Sequence, residues 1–329
     1  AFILLFQRFF EPIRNLGEDW QTVQSALSGI ERIVQVLEIP VEQAPLTPES
    51  TSSDTDDAPQ MSVINARSPA NRAVVELRDV VVGYAPDNPV LHGITLAVGP
   101  GEHVALVGRT GAGKSSAISM LSGLYSPWSG RVCVAGRDPH ALSEDERRRV
   151  VGVVPQTVQL FSGTVWENIT LGVPSVSQDA VERAARAALV DRFAVALPEG
   201  YDTRLSGTGR GEGAQLSEGQ QQLMSLARAL VWDPAVLLLD EATAAVDNAS
   251  EAEFRAALQR SFQSGDGRQR GVVTVAHRLS TAREADRVFV LESGTIVEQG
   301  TPEELISRGG RFAALVELEA AGWSWQSAA

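Results

Sequence analysis

One stretch of the sequence has the residue types and spacing to hold phosphate groups. Residues 108–115 read Gly-Arg-Thr-Gly-Ala-Gly-Lys-Ser, between an apolar run at 104–107 and a helical pattern at 116–124. In that order, backbone N–H groups of a glycine-rich turn surround phosphates at a positively polarised helix N-terminus. Lys114 supplies charge for the terminal phosphates, and the Ser115 hydroxyl suits Mg²⁺. The alternative is a glycine-rich turn that arose by chance, but such a turn would not require a strand before it and a helix after it. The stretch therefore predicts binding of a nucleoside triphosphate.

Two further apolar runs end in polar side chains that suit phosphate chemistry. The run at 236–239 leads into Asp240 and Glu241, and a later run leads into His277. Because ligands of parallel α/β sheets bind beyond the carboxyl ends of the strands, we expect these groups at one edge with the phosphate loop. Asp240 suits a Mg²⁺ ligand acting through water, Glu241 a base that polarises water, and His277 a γ-phosphate contact. The alternatives are a helix N-cap at Asp240 or Thr243 and an ordinary strand-end histidine.

Composition limits the classes of protein that the chain can belong to. Its 329 residues include 28 basic and 41 acidic side chains, a net charge of −13, and no basic run stands out. Nucleic-acid binding is disfavoured, because it usually needs a basic face. Cys133 has no partner for an internal disulfide, as befits a reducing compartment. The chain starts at Ala1 without a signal-peptide pattern, so we expect the back part of a longer protein.

The first forty residues predict a long helix next to a membrane. Residues 1–10 are apolar except for Gln7 and Arg8, and are shorter than the roughly 20 residues that cross a bilayer. We expect either the last turns of a spanning helix or a buried helix end. After them, apolar residues recur at alternating spacings of four and three, a heptad seam. The seam residues are Phe9, Ile13, Leu16, Trp20, Val23, Leu27, Ile30, Val34 and Leu37. Pro12 is expected to kink this helix and Pro40 to end it.

The remaining chain divides by composition into a linker, a globular region and a tail. Residues 41–72 are rich in Pro, Ser, Thr and Asp and cannot bury enough apolar surface to fold alone. Residues 73–320 are globular in composition, and residues 321–329 form a C-terminal tail. Alternation and apolar runs predict strands at 74–77, 80–82, 90–98, 104–107, 236–239, 272–276, 288–291 and 295–298. Helices are predicted at 116–124, 174–195, 223–231 and from Thr301, and a loop at 200–213.

Taken together, these motifs resemble the nucleotide-binding domain of an ABC transporter, of the exporter type that is fused to a membrane domain. The resemblance covers about residues 74–319. Lys114 and Ser115 are similar to the Walker A motif, and Asp240 and Glu241 to the Walker B aspartate and its catalytic glutamate. Six motifs in the family's order make this resemblance far more specific than a phosphate loop alone.

The other matching motifs lie elsewhere along the chain. Gln156 resembles the glutamine of the Q-loop, and Tyr84 the aromatic residue that stacks on adenine. The D-loop is matched at residues 244–247, which end in Asp247, and the switch histidine at His277. Residues 216–220, Leu-Ser-Glu-Gly-Gln, resemble the family signature, with Glu218 in place of the usual glycine.

The resemblance implies a fold and a set of ligand contacts. The fold class is α/β: a RecA-like P-loop NTPase core with an antiparallel β subdomain and an inserted α-helical subdomain at about 161–230, preceded by a long helix. The implied cofactors are ATP and Mg²⁺, with Ser115, Gln156 and Asp240 near the metal and Glu241, His277 and Gln156 as catalytic residues. The implied ATP contacts are Tyr84, Gly108, Arg109, Thr110, Gly111, Ala112, Gly113, Lys114, Ser115, Ser116, Gln156, Asp240 and His277. The implied contacts to a partner's ATP are Leu216, Ser217, Glu218, Gly219, Gln220 and Asp247.

The resemblance also implies partners and a location. A second nucleotide-binding domain would complete each ATP site, and Glu218 favours a heterodimer over a homodimer. The alternative is a well-capped helix start with Glu218 turned to solvent, because Ser217 and Gln220 have capping-box spacing. Coupling helices of a membrane domain are the other expected partner, at the cytoplasmic side of the cell membrane, with no nucleic acid. One alternative is a soluble ABC-type ATPase acting on nucleic acid or ribosomes. Another is a nucleotide-binding half that regulates and hardly hydrolyses.

Overall fold

A computed structural model of the chain defines the architecture of its larger, globular part. It describes residues 20–21, 24–34, 37–38, 73–85, 87–207, 213–240, 248–262, 267–276 and 278–320. The chain divides into two compact units between residues 55 and 56. The predicted membrane-helix end at 1–10, the linker at 41–72 and the tail at 321–329 all lie outside the described residues.

The first unit is helical over its described residues. Residues 20–21, 24–34 and 37 are α-helical, as the heptad spacing predicts. Five members of the predicted seam have exposed side chains: Trp20, Leu27, Ile30, Val34 and Leu37. Within the described part of the chain, we find no helix that combines the length and the apolar character needed to cross a bilayer.

The second unit is built on a six-stranded sheet in the order β11-β10-β3-β9-β8-β5. The five strands from β10 to β5 in this order are parallel, and β11 runs antiparallel to β10. The strands of the unit are β1 (Val75–Ala85), β2 (Asn88–Val98), β3 (His103–Val107), β4 (Ser129–Val134), β5 (Val151–Val154), β6 (Gly163–Thr164), β7 (Arg204–Leu205), β8 (Val236–Asp240), β9 (Gly271–Val275), β10 (Arg287–Glu292) and β11 (Thr295–Gly300).

Both faces of this sheet are covered, which is why its inner strands are mostly apolar. Along β3, Val104 and Leu106 contact one core cluster, whereas Ala105 and Val107 contact another on the opposite face. Such double burial is typical of parallel strands. The helices are α1 (Lys114–Leu121), α2 (Glu144–Val150), α3 (Val165–Thr170), α4 (Gln178–Ala187), α5 (Asp191–Ala194), α6 (Glu218–Leu230), α7 (Asn248–Arg260), α8 (Leu279–Arg283), α9 (Pro302–Ser307) and α10 (Arg311–Ala320).

A second, antiparallel sheet has the order β2-β1-β4. The sequence predicts two short strands at its start, but the structure has one, β1, with register shifts between Leu77 and Val80. The polar residue Asp79 lies there with a positive φ of 49°, and its backbone N–H donates to Thr95 Oγ1 at 2.9 Å. Arg78 and Asp79, which lie between the two predicted strands, therefore form a bulge in one continuous strand.

Helices α3 to α6 are inserted between β5 and β8 and share one apolar core. The region predicted as a single helix at 174–195 is two helices, because Leu189 adopts a left-handed conformation with φ 59° between them. The predicted loop at 200–213 contains a 3₁₀ turn, Gly200–Asp202, and strand β7, which pairs with β6. The α/β fold class with its antiparallel sheet and inserted helices is confirmed.

A buried arginine joins the beginnings of β8 and β9, the two strands that lead to the predicted site. Arg270, just before β9, is almost completely buried. Its guanidinium donates to the carbonyl of Pro234 at 2.9 Å and to that of Ser261 at 2.5 Å, and it pairs with the carboxylate of Asp233. One side chain thus ties the start of β8 and the end of α7 to β9.

Replacing this arginine should destabilise the whole domain. Arg270→Met keeps much of the side-chain volume but leaves buried carbonyls without donors, so we expect a loss of about 3 kcal/mol in the free energy of unfolding. Urea denaturation measures this loss. The matched change Arg260→Met, at an exposed position on α7, should cost less than about 0.5 kcal/mol. Equal effects of the two changes would contradict the anchoring role.

Candidate functional site

The parallel strands bring the predicted phosphate-binding groups to one edge of the main sheet. Leu106 of β3 and Asp240 of β8 both pair with Val275 of β9, so the three strands end at the same level. The phosphate loop follows β3 and Asp240 ends β8. Gln156 follows the end of β5, the strand next to β8. This edge is where ligands of such sheets bind.

Helix α1 begins without a side-chain cap, which leaves its N-terminus open to an anion. Gly113 is its N-cap residue, with φ 100°, a conformation that strains any residue with a Cβ atom. Among the residues that the structure describes, no side chain caps the first turn of α1. By contrast, helices α2, α3, α4, α6 and α9 are each capped by a Ser or Thr side chain. An uncapped, positively polarised N-terminus after a glycine-rich turn is suited to bind a phosphate.

Lys114 is held inside the loop that it is predicted to serve. Its side chain is only 5% exposed, and its ammonium donates to the carbonyls of Gly108 at 2.6 Å and Arg109 at 2.9 Å. A buried ammonium is costly unless such partners surround it. The two bonds fix the charge at the mouth of the loop, where phosphate oxygens can replace or join the carbonyls.

Ser115 and Asp240 form a pair of oxygen donors beside this charge. The Ser115 hydroxyl donates to Asp240 Oδ1 at 3.4 Å across 125 positions of sequence. Burial raises the pKa of the Asp240 carboxyl, while the Ser115 hydrogen bond and the Lys114 charge oppose that effect. Hydroxyl and carboxylate oxygens are the ligands that Mg²⁺ prefers, usually together with substrate phosphates and water. A partly desolvated carboxylate in this position fits a cation.

Tyr84, at the end of β1, lies beside the first turn of α1. Its hydroxyl is 2.8 Å from the Ser116 hydroxyl, and the residue is 56% exposed. The Tyr84 and Tyr125 rings meet in a T-shaped contact, with centroids 5.1 Å apart and an angle of 80° between the ring planes. A half-exposed aromatic ring next to the phosphate loop can stack on a purine base.

The signature segment forms the start of α6. Ser217 is the N-cap residue, with a reciprocal bond pair to Gln220: the Gln220 N–H donates to Ser217 Oγ at 3.2 Å, and the Ser217 N–H to Gln220 Oε1 at 3.0 Å. Glu218 is the first helical residue and is exposed. The capping box inferred from the spacing of Ser217 and Gln220 is thus present.

Sequence reasoning missed two groups that connect these segments. Arg228 of α6 donates to the carbonyls of Asn168 at 2.9 Å and Gln159 at 3.1 Å, and its guanidinium lies over the Phe161 ring. It therefore links the signature helix to the segment that follows Gln156. Tyr125 is the other missed residue. An arginine on a helix and an aromatic residue after one carry no sequence signal of such contacts.

Three predicted site residues fall in parts of the chain that the structure does not describe. Glu241, Asp247 and His277 lie outside the described residues, as does Thr243, the alternative N-cap. Their neighbours Asp240 and Ala276 are described. Asp240 ends β8 and Ala276 follows β9, at the edge of the sheet that carries the phosphate loop. The fold and this site together define a P-loop nucleoside triphosphatase.

Comparison with known proteins identifies the family. Residues 91–244 match the model of the ABC transporter family. The chain is 37% identical over 312 residues to a fatty acid ABC transporter ATP-binding/permease protein of Mycobacterium bovis, covering 95% of this chain and 45% of that protein. It is 36% identical over 326 residues to the mycobactin import ATP-binding/permease protein IrtB of Mycolicibacterium smegmatis, covering 99% and 52%.

A solved structure gives the same result. A bacterial Atm1-family ABC exporter with ATP bound matches with a TM-score of 0.68 and 32% identity, over 95% of this chain and 50% of that one. The chain spans about half the length of the relatives that it matches. It belongs to the ABC transporter family and carries that family's nucleotide-binding domain. The family binds ATP, and ATP hydrolysis is its characteristic activity.

The buried lysine gives a direct test of the phosphate loop. Lys114→Met keeps the apolar stem but removes the charge, so ATP affinity should fall about 10- to 100-fold, the value of a hydrogen bond to a charged group. Affinity for AMP should change less than about threefold, because AMP lacks the β- and γ-phosphates. Calorimetric titration measures both. A parallel loss for ATP and AMP would mean that the change distorts the site instead.

Proposed function

We propose that this chain is the ATP-hydrolysing domain of a membrane exporter and couples nucleotide-driven dimerisation to transport across the cell membrane. The observation that carries the proposal is the meeting of three features at one sheet edge: an uncapped helix N-terminus, a buried lysine and a partly buried aspartate bonded to Ser115. This arrangement suits a nucleoside triphosphate with a divalent cation.

Each residue then has a role in hydrolysis. Backbone N–H groups of the loop and Lys114 bind the phosphates, and Ser115, Asp240 and Gln156 would hold Mg²⁺, which supplies positive charge to the phosphate oxygens. Glu241 accepts a proton from the attacking water, and His277 contacts the γ-phosphate. Water adds to the γ-phosphorus as the bond to the ADP oxygen breaks, giving ADP and phosphate.

Support for the membrane setting comes from the relatives and from the N-terminal helix. The matched relatives are named as ATP-binding/permease proteins, and the solved structure as an exporter. The exposed apolar seam of the N-terminal helical segment suits packing on other helices, as expected where a spanning helix continues into the cytoplasm. No comparison supports a soluble ATPase acting on nucleic acid. Export, rather than the import named for one relative, is the direction we propose.

The proposed base can be tested in the full-length transporter. Glu241→Gln should keep ATP binding but reduce turnover by roughly 10²–10⁴, the usual contribution of a positioned general base. Steady-state phosphate release measures turnover, and ATP binding is measured in parallel. Glu253→Gln, an exposed position on α7, serves as the matched control and should hydrolyse at the normal rate. Near-normal turnover by Glu241→Gln would assign the base elsewhere.

We also propose that the partner is a different chain with a normal signature. Glu218 places a carboxylate at the first position of α6, where it satisfies the helix dipole and would repel a phosphate. The capping box at Ser217 and Gln220 accounts for a stable helix start but does not require a carboxylate at this position. In a heterodimer, this chain's Walker residues would use the partner's signature, and its own signature would face a weaker site.

Expression with and without a partner distinguishes the two assemblies. The full-length half-transporter alone should show little ATPase activity, and Glu218→Gly should raise it by removing the like charge from the phosphate. Co-expression with the product of a neighbouring transporter gene should restore substrate-stimulated activity to the unaltered chain. High ATPase activity from the chain alone, unchanged by Glu218→Gly, would contradict the heterodimer.

A further inference from the structure

The segment between α1 and β4 contacts Tyr84 and its backbone at separate points. The Tyr125 ring meets the Tyr84 ring at a centroid distance of 5.1 Å in a T-shaped arrangement. The indole of Trp128 lies against the neighbouring residue, Gly83: a Cβ atom there would be 2.6 Å from Trp128 Cη2 and 2.9 Å from Cζ2. The backbone N–H of Trp128 donates to the carbonyl of Val81 at 2.8 Å.

These contacts restrict the Tyr84 side chain from three directions. Its hydroxyl bonds to Ser116 in the first turn of α1, and its ring touches Tyr125, which follows the end of the same helix. Its backbone is fixed one residue earlier, where the indole occupies the space that a side chain at Gly83 would need. A T-shaped contact covers at most one ring face, and Tyr84 remains 56% exposed, so a face stays open to a base.

We propose that Tyr125 and Trp128 are positioning residues that hold the Tyr84 ring at the angle at which it receives the nucleotide base. The inference rests on the proposed stacking of Tyr84 on adenine. Tyr125 acts through the Tyr84 ring, and the Trp128 indole acts through its contact with the backbone at Gly83. Because Tyr84 would contact the base and not the phosphates, the two residues affect affinity for ATP but not for a triphosphate that has no base.

The experiment compares two ligands in the full-length transporter: ATP and inorganic tripolyphosphate. Tyr125→Leu should weaken ATP binding about 2- to 10-fold, as expected for loss of an aromatic pair, and leave tripolyphosphate binding unchanged. Tyr125→Phe keeps the ring and should restore normal ATP affinity. Leu124→Ala, at the exposed residue before Tyr125, is the matched control and should change neither ligand.

A double-mutant cycle with Tyr84→Ala separates positioning from a general structural effect. Tyr84→Ala should weaken ATP about 10-fold with tripolyphosphate unchanged, and Tyr84→Ala/Tyr125→Leu should weaken ATP no further. Trp128→Leu should show the same dependence on the base as Tyr125→Leu. In steady-state assays, Tyr125→Leu should raise KM for ATP and leave kcat unchanged.

The outcomes that contradict the positioning role of Tyr125 differ from those that contradict stacking of Tyr84 on the base. If Tyr84→Ala weakens ATP but Tyr125→Leu does not, or if the two losses simply add, Tyr125 does not position the ring. Equal weakening of ATP and tripolyphosphate by Tyr125→Leu would indicate general damage to the fold and reject the positioning role. If Tyr84→Ala leaves ATP affinity unchanged, the stacking proposal fails and the inference fails with it.

Discussion

The structure of the site depends on one buried charge. The ammonium of Lys114 is removed from water and held by two backbone carbonyls of the loop that leads to it. An isolated ammonium in such a place would lose its proton or unfold its surroundings, so the loop must wrap around it closely. The left-handed conformation of Gly113 permits that wrapping, and the uncapped start of α1 follows directly. This arrangement is suited to a ligand with several negative charges.

The sheet makes this loop possible by bringing distant residues to one edge. Strands β3, β8 and β9 are apolar on both faces and end at the same level, so Ser115 and Asp240 meet although they are far apart in the chain. Arg270 joins the beginnings of β8 and β9, at the end of these strands opposite the site. The second, antiparallel sheet packs on one face of the main sheet. The chemistry of the site thus depends on packing well away from it.

Much of this could be predicted from the sequence, because apolar runs and motifs carry strong local signals. The phosphate loop, the strand that ends at Asp240 and the capped start of the signature helix at Ser217 all follow from short patterns. The bulge at Asp79 and the helix break at Leu189 could not be predicted, since each depends on a non-glycine residue with positive φ that tertiary contacts hold in place. The same is true of the contact between Tyr84 and Tyr125, which joins residues from different elements. Local patterns do not report such pairings.

Relatives of similar identity are named for fatty acids and for mycobactin, so similarity at this level does not specify a transported compound. The central claim is that the edge formed by β3 and β8 binds MgATP. A structure of the full-length transporter with Mg²⁺ and a non-hydrolysable ATP analogue tests it most directly. We expect the triphosphate in the loop at 108–115, the metal between Ser115 and Asp240, and the base on Tyr84. Nucleotide bound away from α1, or a metal without contact to Asp240, would contradict it.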